Sequence, residues 1–329
     1  MSAATYLVVS CTERKRAAVP EGLRLRSIAA APGVRRVEAW WQRLARAKGG
    51  GRYPAAELYG GEHFAVVLRA FAALRRLGPR ASLWIASAGY GLVSASALLA
   101  PYSATFVAGS PDSVALGDGS SHVAQKQAWW AALAGYAGPE AGAPRSLCQL
   151  ARQAPLATLL IVAAPHYIRA LRIDLLAARS EMRDSGRLIV ISNWVLLADR
   201  ELAPHLIPVD ERCQTMVGGT MLGLNARVAL RLLEEGHEGP LTAAYLRERY
   251  DIMASDAEKP PKYNRERMND EDVVKFLRTE LERDPRAAWT LLLRRLRSDG
   301  QACEQGRFRD LHRQVREAID SGGRELYRD

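Results

Sequence analysis

The sequence predicts an α/β fold in which a four-stranded parallel sheet carries helices on both faces as a three-layer sandwich over residues 1–210, with a helical domain over 211–329. Three observations lead there. Four short apolar runs, Tyr6–Val9, Leu83–Ala86, Thr158–Ala163 and Arg187–Ile191, have the length and continuous hydrophobicity of strands buried on both faces. The segments between them carry helical spacing, so each strand returns to the sheet through a crossover. Beyond Pro208 strand-like runs give way to charged helical patterns.

The first strand, Tyr6–Val9, ends in Ser10-Cys11-Thr12-Glu13-Arg14-Lys15-Arg16, a loop rich in hydroxyls and cations. Residues 17–36 are rich in Pro, Gly and Arg and read as a loop; Val37–Lys48 reads as a helix closed by Gly49-Gly50-Gly51. Leu58, Phe64, Val67, Leu68, Phe71 and Leu74 place a helix over Pro54–Leu77, interrupted at Gly60-Gly61. The second strand ends in Ser87-Ala88-Gly89-Tyr90-Gly91, small residues that predict room beyond the strand, with Tyr90, Tyr102 and Phe106 around the opening. Asp112 and Asp118 are the only carboxylates between Glu62 and Glu140, so this loop is the nearest source of a general base; each also fits an ordinary turn residue. Ser120 or Ser121 caps a helix over His122–Leu133. The third strand ends at His166-Tyr167 and the fourth at Ser192-Asn193, so parallel pairing brings Ser10, Thr12, Ser87, Tyr90, His166 and Asn193 to one sheet edge. In the C-terminal part, Trp289–Arg297, the turn Ser298-Asp299-Gly300 and a following helix suit a helix-turn-helix; a packing appendage or oligomer arm fits as well.

Composition narrows the function. With 48% hydrophobic residues the chain supports a sizeable core, and it has no run of 18 apolar residues. Its first residues enter a strand without the pattern of a signal peptide, so the expectation is a cytoplasmic protein with no membrane partner. Cys11, Cys148, Cys213 and Cys303 are far apart and lack a CxxC pair, which argues against a zinc site and a disulfide framework. Neither GxxxxGK[ST] nor GxGxxG is present, and no metal or cofactor is expected. The net charge of +10 lies entirely in residues 1–80, with 15 Lys/Arg against 5 Asp/Glu; residues 211–329 balance at 22 against 22. Arg14, Lys15, Arg16, Arg35, Arg36 and Arg52 form the stripe that would contact a phosphate backbone, unless it is simply a solubilising surface.

The segments SCTERK, ELYGG, SAGYGLV and PYSATF together resemble a bacterial family with the pattern SAxYGL and PYxxTF, related to the peroxide-stress DNA-binding protein YaaA and to the middle domain of archaeosine synthases. The resemblance covers residues 6–114, with a weaker echo in GGTMLGLNAR at 218–227. It implies a core similar to uracil-DNA glycosylases and, through phage-restricting DNA glycosylases near this pattern, excision of a modified base such as glucosylated hydroxymethylcytosine from double-stranded phage DNA in antiviral defence. Within the pattern, Ser10, Cys11, Lys15, Tyr59, Gly60, Ser87, Tyr90, Gly91, Tyr102, Thr105 and Phe106 are implied as site-forming. The chain departs from uracil-DNA glycosylases at both motifs that carry their chemistry: it lacks GQDPYH after the first strand, and its fourth strand ends in Ser-Asn-Trp rather than HPSPLS.

Three functions remain open at this point: a DNA glycosylase, a non-catalytic DNA-binding stress protein, and a 7-deazaguanine-related transglycosylase. For the glycosylase, a hydrolase that flips its target base, the expected catalytic residues are Asp112, facing the sugar, and Asn193, reading the base edge. Tyr90, Tyr102 or Phe106 would stack on the base, and Ser10, Cys11, Thr12, Tyr59, Ser87, Gly91 and His166 would complete the substrate side.

Overall fold

The structure, a computed structural model, describes residues 3–28, 34–47, 51–117, 121–236, 241–255, 257–259 and 264–325; Gly49, Gly50, Asp118 and Ser120 lie outside them. The first part of the chain runs β1 (Thr5–Ser10), α1 (Val34–Arg46), β2 (Tyr53–Pro54), α2 (Ala55–Leu58), α3 (Glu62–Leu77), β3 (Ala81–Ser87), β4 (Gly91–Ser94), β5 (Leu98–Leu99) and α4 (His122–Ala134). It continues through α5 (Leu147–Gln153), β6 (Thr158–Val162), α6 (Pro165–Glu181), β7 (Leu188–Asn193), β8 (Leu206–Val209), α7 (Cys213–Val217), α8 (Leu224–Glu234) and α9 (Ala243–Ser255).

The central sheet has six strands in the order β4-β3-β1-β6-β7-β8. All neighbours are parallel except β4, which turns back antiparallel on β3 with Ile85 opposite Val93. The four expected strands are its centre; the sheet is mixed and wider than the four parallel strands expected. Both extra strands are edges. β4 follows β3 through a tight turn at Gly91, whose φ of 75° suits glycine, and β8 contains Pro208, which cannot donate to a ladder and so belongs at an edge.

Every residue of β6, and all but the last of β7, is buried, so both faces of the sheet are covered. The cover comes from two groups of packed helices, α3 with α8 and α4 to α6. Their apolar stripes follow from spacing: α3 buries Phe64, Val67, Ala70 and Leu74.

The chain divides into two compact units, residues 1–260 and 261–329. This moves the boundary from the 210/211 expected from composition. α8 and α9 carry enough charge to read as surface helices, yet α8 buries Leu224, Val228, Leu230, Leu232 and Leu233 in the same core as the sheet. The second unit comprises β9 (Glu266–Arg267), α10 (Asp270–Arg283), α11 (Trp289–Ser298), β10 (Gln301–Ala302) and α12 (Gln305–Glu325). Its own core gathers Val273, Leu277, Leu281, Leu292, Leu296 and Phe308. A short parallel pair of β9 with β10 joins the segment before α10 to the one that follows the turn Ser298-Asp299-Gly300. No helix among the described residues is long and apolar enough to cross a membrane.

Candidate functional site

The strand order creates a crevice. From β1 the chain moves toward β3 and β4, whereas from β6 it moves toward β7 and β8, so the connections leaving β1 and β6 diverge at the carboxyl edge. This topological switch point is where open α/β sheets place ligands. The loop after β1 and the start of α6 meet there: Cys11 Sγ lies 3.0 Å from the Tyr167 hydroxyl, and Phe106 packs edge-on against the Tyr167 ring at 5.1 Å.

A network of hydroxyls continues toward β3. Tyr102 OH lies 2.6 Å from Ser87 Oγ and 2.9 Å from Tyr59 OH. Ser87 Oγ in turn accepts from the Tyr90 and Gly89 amides at 2.9 and 3.2 Å, which fixes the turn after β3. The turn carbonyls are held from below, Gly89 O by the Trp40 indole at 2.8 Å and Ala88 O by the Trp129 indole at 2.7 Å. Burial is the main reason the Tyr59, Tyr102 and Tyr167 hydroxyls titrate well above the usual phenol range, so all three remain neutral donors.

Lys15 is bent into this network. Its Nζ donates to Thr12 O at 2.6 Å and stands 4.5 Å from the Tyr102 ring centroid and 5.1 Å from that of Tyr59. Burial lowers its pKa, while Cys11 and Glu13 act against that shift. The loop can lie this close because Gly60 has no side chain: its amide donates to Arg14 O at 3.0 Å, and a Cβ there would sit 3.2 Å from Arg16 Cγ. Thr12 Oγ1 bonds Arg14 O at 3.0 Å, Thr105 Oγ1 accepts from the Val107 amide at 3.1 Å, and Ser10 is buried at the end of β1.

The room expected beyond β3 is filled. A Cβ on Gly89 would clash with the Tyr102 ring, 2.3 Å from its Cε2, and one on Gly91 would touch Arg145 and Leu133. Tyr102 and Phe106 are fully buried, which makes them the floor of the site and denies them a stacking face toward solvent. Tyr90 is tied at its hydroxyl to the Ala100 amide, at 3.1 Å.

Both residues expected to be catalytic have structural partners. Asp112, 6% exposed, accepts from the Arg26 amide at 3.0 Å and from Ser103 Oγ at 2.7 Å, so its two carboxylate oxygens tie its loop to two other segments. Asn193 Oδ1 caps the short helical turn after β7 by accepting from the Val195 amide at 3.0 Å. Glu13, exposed on the loop after β1, is the carboxylate that acts electrostatically on Lys15 and Tyr167. Sequence reading passed over it as one member of a charged run.

The basic stripe divides. Arg14, Arg16, Arg35 and Arg52 are exposed and make no ion pair among the described residues. Arg36, 3% exposed, instead donates to Ser113 O and Val114 O at 3.1 and 3.0 Å, so it belongs to the core and not to a phosphate-binding face. Lys15 is likewise turned inward. Compared with family models, curated proteins and solved structures, the chain matches none.

His166 opens α6 and is half-buried; burial, then the nearby Lys126 and Arg169, push its pKa down to about 4, so the ring is neutral at pH 7. The GGTMLGLNAR echo reaches the same edge. Asn225 Nδ2 donates to Ala163 O at 3.0 Å beside Ser192 Oγ, which donates to the same carbonyl at 2.7 Å. Gly219 and Gly223 in that segment wrap the Arg227 guanidinium, which pairs with Glu62 at the start of α3.

Proposed function

We propose that the protein is a DNA glycosylase that releases a base at the β1/β6 edge. The observation that carries this reading is the meeting, at the topological switch point, of an exposed carboxylate, a half-buried ammonium and neutral phenols on the loops whose motifs resemble the glycosylase-related family. Breaking an N-glycosidic bond builds positive charge on the sugar and needs a positioned water, tasks for an ionised carboxylate. Glu13 replaces Asp112 in that role. Arg14 and Arg16 flank it as backbone contacts, with double-stranded DNA as the partner. The three-layer core similar to uracil-DNA glycosylases belongs to the same proposal.

Incubation with ordinary duplex and with phage duplex carrying modified cytosines, followed by alkaline cleavage at abasic sites, tests it. Base release should fall by about 100-fold or more in Glu13→Gln, with folding unchanged. The filled space beyond β3 removes the argument from room for an enlarged base, so release from either DNA supports the activity. One observation favours a second reading, a non-catalytic DNA-binding protein: the burial of Tyr102 and Phe106 leaves neither ring free to receive a flipped base. Duplex binding with no abasic sites on any DNA would establish that reading instead.

A further inference from the structure

In the second unit, one face of α11 opens into a groove of about 660 Å³. Trp289, Leu293 and Arg297 stand four residues apart along it with Arg294 beside them, so they share that face over about 12 Å of helix. Arg265, just before β9, completes the lining: pairing of β9 with β10 brings it to the end of α11, where its Nε donates to Arg297 O at 3.0 Å. The Arg297 guanidinium is steadied in turn by Cys303 O, at 3.4 Å. Three arginines thus line one groove, and no described residue that lines it is acidic. Other arginines of this unit are paired. Arg295, adjacent to Arg294 but outside the groove, bonds Glu280 at 2.6 Å, and Arg307 pairs with Asp270. Glu304, the carboxylate on which Arg297 acts, is engaged by the Gly306 and Arg307 amides at 2.8 and 2.7 Å. Arg294 is exposed and makes no hydrogen bond or ion pair among the described residues.

The two ends of the groove differ in chemistry. Toward the start of α11 it offers the half-buried Trp289 indole and the side chain of Leu293; toward the end it offers guanidiniums, with the Ser298 hydroxyl beside them. An indole provides a platform for a planar ring, and a guanidinium matches the oxygens of a phosphate. We infer that this groove binds a nucleotide unit, with its base against Trp289 and Leu293 and its phosphate at Arg294 and Arg297. A bare anion would leave the apolar end uncovered, and a run of acidic side chains has no planar ring to lay on it. The nucleotide is either free or one link of a single strand, which present the same chemistry; a duplex keeps its bases stacked within the helix. The groove lies wholly in the second unit, and the inference does not rest on base release.

The test titrates the full chain, by calorimetry, with thymidine monophosphate, with a short single-stranded oligothymidylate and with inorganic phosphate. The wild type should bind a nucleotide probe at least about tenfold more tightly than inorganic phosphate, because stacking adds to the attraction of charge. Trp289→Leu should weaken that binding by about tenfold or more. Arg294→Gln, at an exposed position without a partner to lose, should weaken it by about tenfold and keeps the test open if Trp289→Leu fails to fold. Only affinity lost in the variants is credited to the groove, so strand binding at the β1/β6 crevice does not enter. Loss of oligothymidylate affinity in the variants assigns the groove to a single strand; loss of thymidine monophosphate affinity alone assigns it to a free nucleotide. A wild type that binds neither nucleotide probe, or that binds inorganic phosphate as tightly, would overturn the proposal. So would variants that bind both probes as the wild type does. A glycosylase assay without base release changes none of these readings.

Discussion

Tyr102 shows how one side chain sets the site. Its hydroxyl joins Ser87 to Tyr59, and its ring lies directly against Gly89. The only residue the packing admits at position 89 is therefore glycine. Gly89→Ala should cost about 2 kcal/mol by overpacking, measured as a fall in the urea midpoint at unchanged slope. His166 makes a second prediction at this scale. Its pKa of about 4 lies below the 6.5 of the free side chain, so between those values the unfolded chain binds more protons than the folded one. Stability should thus decline as pH falls from about 6.5 toward about 4, with His63, His205 and His312 displaced in the same direction by burial. In thermal melts across that range, His166→Gln should flatten the fall; an unaltered profile would show that His166 does not contribute to it.

At the scale of elements, the loop after β1 is held from two sides. Its backbone pairs with the Tyr59-Gly60 segment, Arg16 N donating to Leu58 O at 2.9 Å, while Lys15 turns inward over the tyrosines. The same geometry turns Arg14 and Arg16 outward, since neighbours on an extended segment alternate in direction. Replacing both by Ser should lower the salt slope of duplex binding by about 2 units with little effect on sequence preference. Unchanged affinity and slope would identify them as a solvated face. The Gly219–Arg227 segment works by a related device, glycines giving a guanidinium room to reach Glu62 on α3 and so tying α8 to the start of that helix.

For the whole molecule, the division at 260/261 predicts how pieces of the chain behave. A fragment of residues 1–260 should melt cooperatively with native near-ultraviolet circular dichroism. One ending at residue 210 should not, because it loses α8 and α9 and uncovers the sheet core that Leu224, Val228, Leu232 and Leu246 complete. A cooperative melt of the shorter fragment would restore the boundary read from composition. In the second unit charges pair at a shared carboxylate: Arg295 and Arg283 both bond Glu280.

The sequence by itself determined the α/β class, the four central strands to within one or two residues, and the edge at which polar residues gather. Continuous apolar runs and alternating crossovers are local properties that survive without knowledge of partners. Tertiary structure alone decided what each residue at that edge does. Asp112 reads as a candidate base or a turn residue and Arg36 as a phosphate contact or a solubilising charge; both are instead occupied by loop backbone remote in sequence, Arg26 for one and Ser113 and Val114 for the other. The space that Gly89 promised is instead filled by a tyrosine 13 residues further on, because an absent side chain says only that something can come close.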